Sequence, residues 1–223
     1  MRKITFLFFA IALITFKAAA QDSKIKFGLQ GGLNYSSLRG NDSYSDDTPG
    51  FSYLFGVSFQ YKIKDNLSLK ADLNYERKTQ VSKEVIEILD NPNMFYGVYH
   101  FKNTTYQNYI MLPILLKYNF TRSKSFYING GPFLGYLLKS GTSTDLSLPG
   151  MNSDDTDDTK YRKSLDYGIV AGIGKEFKLS DNNQIYIEIR ENLGLANMAK
   201  TEVTYLNNIK TNALNLIIGY NFN

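Results

Sequence analysis

Eight stretches of this chain alternate apolar and polar residues, joined by connections that run long, short, long, short, long, short, long. In Phe51–Ile63 every odd position is aromatic or aliphatic and most even positions are small or polar. A strand sends successive side chains to opposite faces, so each stretch is a ribbon with one greasy and one wet side. Eight such ribbons with short turns on one end and long loops on the other can satisfy all their backbone groups by closing on themselves.

The ribbons follow one another in register with this rhythm. The first runs from about Lys24 to Leu38, with Ile25, Phe27, Leu29, Gly31, Leu33 and Tyr35 on its apolar face. Phe51–Ile63 turns at Lys64-Asp65-Asn66 into a third, with Leu67, Leu69, Ala71, Leu73 and Tyr75 opposite Ser68, Lys70, Asp72, Asn74 and Glu76. The fourth carries Ile110, Leu112, Ile114, Leu116, Tyr118 and Phe120 on one face, and the fifth covers Phe126 to Leu138, weakened locally by Gly130-Gly131-Pro132. Asp166 to Phe177, Ile185 to Leu193 and Leu214 to Phe222 complete the set. The connection 79–105 is expected to continue the third and fourth strands as a protruding hairpin around the turn signal Asp90-Asn91-Pro92-Asn93, with a short helix at Ser82–Leu89 as the rival reading. The connection 140–163 is Ser/Thr-rich and acidic, and is expected to be mobile.

The first twenty residues read as a separate export leader. Arg2 and Lys3 precede an uncharged apolar run, Ile4 to Phe16, and Ala18-Ala19-Ala20 offers a small-residue cleavage site before Gln21. That run is too short for a helical membrane span, which takes ~20 residues. The expectation is therefore a signal peptide at residues 1–20, cleaved after Ala20, and one domain at residues 21–223. Without the leader the chain holds 22 basic and 21 acidic residues, so its alkaline pI is no sign of nucleic-acid binding. The absence of cysteine excludes disulfides, thiolate metal sites and a lipoprotein anchor.

Aromatic residues decide which face meets lipid. Tyr61, Tyr118, Phe120, Phe126, Phe177, Tyr220 and Phe222 fall near the short turns, and Tyr35, Phe51, Tyr53, Tyr75, Tyr136 and Tyr167 near the long loops. Two girdles separated by aliphatic residues match two membrane–water interfaces. The fold class expected is all-β: an eight-stranded antiparallel up-and-down transmembrane β-barrel in the outer membrane of a Gram-negative bacterium. A soluble carrier barrel would reverse the faces. The polar faces would then place Lys26, Lys62, Lys70, Asp72, Glu76, Lys117, Glu176, Glu188 and Arg190 in a narrow lumen, where charges must pair across the space. Eight strands leave room for side chains and not for an open channel.

Little in the sequence is catalytic. A serine nucleophile normally needs a histidine base within hydrogen-bond reach, and the one histidine, His100, lies in the 79–105 connection between Tyr99 and Phe101. Asn152-Ser153-Asp154-Asp155-Thr156-Asp157-Asp158 has carboxylates but lacks the spaced ligands, glycine and terminal glutamate of a calcium loop, so a solvated acidic loop is expected. No cofactor, metal site or nucleic-acid partner is expected. The partners expected are outer-membrane lipid and envelope or surface proteins meeting the long loops.

Asn108-Tyr109-Ile110-Met111-Leu112-Pro113-Ile114-Leu115-Leu116-Lys117-Tyr118 resembles the "Tyr-x-x-x-Pro-x-x-x-Lys-Tyr" strand of the PorT-like outer-membrane β-barrel family. Phe27–Asn34 is similar to that family's opening strand, and Asp166–Gly174 and Leu216–Phe222 to its later ones. The motifs are structural and loose. Where family members often carry Arg-Tyr in the seventh strand, this chain reads Arg190-Glu191. The resemblance implies a small barrel, for most members without an assigned activity, and for one branch a part in a secretion and gliding apparatus. The functional order is thus a non-enzymatic barrel with interacting surface loops, then a secretion-apparatus component, then a lipid- or peptide-modifying envelope enzyme.

Overall fold

In the computed structural model the described residues are 24–40, 47–88, 97–120, 125–146, 154–180, 183–200 and 208–222. The leader at residues 1–20 with its cleavage after Ala20, the turn signal Asp90–Asn93, and Asn152 and Ser153 of the acidic stretch lie outside them. Among the described residues there are nine strands: β1 (Ile25–Arg39), β2 (Thr48–Lys64), β3 (Leu67–Ile88), β4 (Gly97–Asn119), β5 (Phe126–Leu146), β6 (Asp154–Asp157), β7 (Leu165–Lys178), β8 (Asn183–Gly194) and β9 (Lys210–Phe222). A 3-10 turn at Thr159–Tyr161 precedes β7.

All pairings between these strands are antiparallel, and they run in a ring. From β1 the order is β2, β3, β4, β5, β7, β8, β9 and back to β1, where Phe27 pairs Phe222 and Arg39 pairs Lys210. Each of the eight long strands is therefore bonded along both edges. β6 is the ninth, a short addition pairing Gly141–Thr144 of β5 outside the ring. Two irregularities sit toward the long-loop end. The β2–β3 register shifts between Pro49 and Leu54, and the β4–β5 register shifts between Asn108 and Tyr109, where an extra β5 residue bends the wall.

One long connection follows the leading sequence expectation and one departs from it. The 79–105 connection continues as strand on both sides, with Ile88 paired to Gly97 and Val85 to His100, which excludes the helical alternative over Ser82–Ile88. Alternation had offered too few residues there to separate the two periods. The 140–163 connection is built into the sheet wherever it is described: β5 runs to Leu146, Asp154–Asp157 pairs back onto it, and the 3-10 turn follows. Thr142, Thr144 and Thr159 bond backbone and side-chain acceptors there, so polar composition produced paired strand rather than loose chain. The Gly130-Gly131-Pro132 segment stays within β5, with Pro132 opposite Ile169 of β7.

Burial follows sequence parity. Among the described residues 25 polar or charged side chains are buried against 16 hydrophobic ones, while 37 large hydrophobic residues are exposed. This is the reverse of a water-soluble fold, in which charged residues are almost never fully buried. Apolar packing occupies two places inside the ring. Leu54, Tyr127, Tyr186 and Ile217 form one cluster. Tyr109, Met111, Leu115, Phe133, Leu137 and Val170 meet Ala196 and Met198 of the connection after β8, which folds in over the long-loop end.

Candidate functional site

Alternate residues of β3 and β8 supply the polar column inside the ring. Lys70, Asp72, Asn74, Glu76 and Lys78 project inward from β3, and Gln184, Tyr186, Glu188, Arg190 and Asn192 from β8. Where the columns meet, Arg190 reaches Asp72 at 2.9 Å and Glu188 at 2.6 Å, and Lys70 stands 3.4 Å from each of the same two carboxylates. All four side chains are almost wholly buried. The Tyr127 hydroxyl donates to Glu188 at 2.8 Å, and the Lys70 ammonium lies 4.7 Å from the centre of the Tyr186 ring. A buried ion pair offsets its desolvation cost only with this density of acceptors and donors.

Two smaller groups flank the quartet. Toward the short turns Lys117 pairs with Glu176 and donates to Gln60 at 3.1 Å, and Lys26 donates to Gln184 at 3.0 Å. Toward the loops Lys78 sits 3.2 Å from Asp166 and 2.9 Å from Thr211, whose hydroxyl donates to Asp166 at 2.7 Å. Between that group and the quartet, Glu76 accepts from the amides of Asn34 at 3.0 Å and Asn192 at 3.2 Å. Lys26, Lys70, Lys78, Lys117 and Arg190 thus balance Asp72, Glu76, Asp166, Glu176 and Glu188 inside the ring.

The structure brings together Lys70, Asp72, Glu188 and Arg190, pairs Lys117 with Glu176, places Lys26 and Glu76 on neutral amides, and excludes Lys62. Lys62 is a correction: at the end of β2 its ammonium bends out to Asp65 of the tight turn at 2.9 Å, both groups in solvent. Alternation assigned it inward, but its long side chain turns along the tight turn to Asp65 instead of entering the interior. Lys78 and Asp166 were missing from the sequence-derived set. Carrying the β3 alternation two residues past Glu76 finds Lys78, and Asp166 keeps the inward parity of β7.

The girdle residues stand on the outward face. At the loop end Tyr35 and Phe51 lie 4.7 Å apart between ring centres, and Tyr53 and Tyr75 6.1 Å. At the turn end Phe120 and Phe126 lie 6.4 Å apart and Tyr220 and Phe222 6.3 Å. Tyr61, Tyr118, Tyr136, Tyr167 and Phe177 are exposed at the same two levels. The acidic stretch does not converge on one point. Asp155 accepts from Tyr106, Asp157 from the Thr159 backbone N–H and Asp158 from Thr142.

A family model for the outer membrane protein beta-barrel domain matches residues 19–200. The chain belongs to that family. Membership places this outer-membrane β-barrel protein in the envelope of a Gram-negative bacterium. No curated protein sequence is significantly similar to the chain. Solved structures with a similar fold include Neisserial surface protein A (14% identity, TM-score 0.41, 88% of this chain and 96% of that one). Ail, the attachment invasion locus protein of Yersinia pestis, is another (12%, TM-score 0.38, 89% and 99%), solved with the heparin analogue sucrose octasulfate. The Escherichia coli outer membrane protease OmpT is a third (10%, TM-score 0.37, 91% and 97%). His100 is exposed on the β3–β4 hairpin, and among the described residues no three His, Cys, Asp or Glu side chains are placed to hold a metal ion.

Proposed function

We propose that the ring is an eight-stranded transmembrane barrel whose lumen is filled by its own side chains and whose long-loop end meets partners at the cell surface. One observation carries this reading: the solvent-exposed wall is apolar between two aromatic levels, while ions pair inside. A water-soluble monomer rarely exposes a contiguous apolar patch beyond a few hundred Å². Lipid is the environment in which such a wall is stable and in which every backbone group must be satisfied within the sheet. The short turns then face the periplasm, and the β3–β4 hairpin and β6 stand on the outside. Residues 1–20 serve as the leader removed after Ala20, and the strand around Tyr109, Pro113, Lys117 and Tyr118 supports a PorT-like member of the family.

The absence of native cysteine makes labelling decisive. Single-cysteine variants E84C on the hairpin, D65C in a turn and L73C on the wall are treated with a membrane-impermeant maleimide in intact cells. E84C is expected to react at once, D65C only after the outer membrane is permeabilised, and L73C in neither case. Rapid labelling of L73C in intact cells refutes the membrane-embedded wall.

A further inference from the structure

Among the described residues the cations inside the ring all have acceptors, and one group of cations outside it has no acidic partner. The segment following the 3-10 turn is fixed to the connection after β8. Arg162 bridges Ala199, the Lys163 backbone N–H donates to Met198 at 2.9 Å, and that of Lys200 donates to Tyr161 at 3.1 Å. Buried Met198 holds this pair of segments to the apolar cluster at the loop end. Between them lies a groove of about 440 Å³ lined by Arg162, Lys163 and Lys200 together with Ser164, Asn197 and Ala196, and by Leu165 and Tyr167 at its foot. No acidic side chain lines it, and none of the three cations forms an ion pair among the described residues.

The position of the groove says what fits it. Leu165 pairs Tyr136 of the loop-side girdle, and Leu165, Tyr167 and Leu195 are all outward and roughly half exposed. Three cations therefore stand directly above a strip of apolar wall. A soluble polyanion would use the cations and leave the strip bare. A lipid carrying a phosphate headgroup uses both, with its phosphate oxygens on the Arg162 fork and the two ammonium groups and its acyl chain along Leu165 and Leu195.

We infer that this groove is a binding site for a phosphate-bearing lipid of the leaflet at the loop end. The inference rests on the membrane reading above. It adds a specific site to that reading and makes the protein selective among lipids.

The full-length processed chain is reconstituted into phosphatidylcholine nanodiscs containing phosphatidic acid, and retained lipid is counted by native mass spectrometry. The wild type is expected to keep phosphatidic acid over phosphatidylcholine, and R162Q/K163Q/K200Q to lower that retention at least about tenfold. L165N/L195N, with the cations intact, is expected to lower it as well. Equal retention by the charge variant, no preference in the wild type, or complete displacement by excess inorganic phosphate each overturns the lipid site. Heat-modifiable gel mobility of the same samples separates the two readings. Inserted protein without selective retention sinks this inference alone, whereas a wild-type chain that does not insert sinks the membrane reading and this one together.

Discussion

Arg190 shares its charge between Asp72 and Glu188, and both carboxylates are buried where water cannot replace it. R190M leaves Lys70 facing two carboxylates with one charge, and breaking a buried pair from one side costs about 3–5 kcal/mol. Urea titration in detergent micelles, followed by circular dichroism, is expected to show that loss. The double variant E188M/R190M is expected to recover part of it, because the surviving Lys70–Asp72 pair is again balanced. Two glycines set the next limit. A Cβ on Gly219 would lie 2.2 Å from the Tyr186 ring, and one on Gly174 would lie 2.4 Å from the Tyr127 ring. Those rings occupy the missing side chains' space and aim their hydroxyls at Gln30 and Glu188. G219V must push Tyr186 aside, and overpacking of this kind costs about 1–3 kcal/mol on the same titration. Most of the interior was legible in the sequence because parity alone decides which residues of a ribbon share a face. What parity could not show was how far the buried column runs. Lys62, still paired with Ser68, turns its ammonium out of it at one end, and Lys78 is still within it at the other.

Elements outside the wall have their own stability. The part of β3 and β4 beyond Ser82 and Asn103 pairs with itself and, through Phe101–Asn103, with the end of β5. Replacing residues 84–101 by a two-residue Asn-Gly turn is expected to leave heat-modifiable mobility unchanged, since none of the buried side chains among the described residues lies in that segment. A shift in the unfolding midpoint would show that the hairpin supports the barrel. The β5–β6 pairing responds to pH through Asp157, whose carboxyl is held below the ordinary range by hydrogen bonds from the Thr159 hydroxyl and then its backbone N–H. A depressed folded-state pKa stabilises above the unfolded value of about 3.9 and is lost as pH falls through the folded value. Amide exchange at Thr159 is therefore expected to accelerate only below about pH 4, and D157N to remove that dependence. Alternation located the eight long strands. β6 was not legible, because Asp154-Asp155-Thr156-Asp157 has no apolar face and becomes strand only by pairing with Gly141–Thr144. The resemblance around Tyr109, Pro113 and Lys117 described a strand and was silent on what the loops touch.

At the scale of the molecule, buried charges are spaced along the interior of the ring. The Lys117–Glu176 pair, the quartet around Arg190, Glu76 and the Lys78–Asp166 pair follow one another along the axis, and Met198 lies across the loop end. Liposomes carrying the protein are accordingly expected to show no sugar uptake above lipid-only vesicles in a swelling assay, and measurable swelling would mean that the column opens. The rhythm of long and short connections already implied an even, up-and-down set of strands. It could not say that balanced charge, rather than apolar packing, fills most of the middle.

The seam between β1 and β9 carries a consequence for biogenesis. Thirteen residue pairs from Phe27–Phe222 to Arg39–Lys210 join the earliest strand to the latest, the greatest separation along the chain that the sheet contains. Until β9 has been made, the growing polypeptide holds two open borders that would pair with any neighbour. Closure of the ring is thereby timed by β9, and the first strand must wait for its partner.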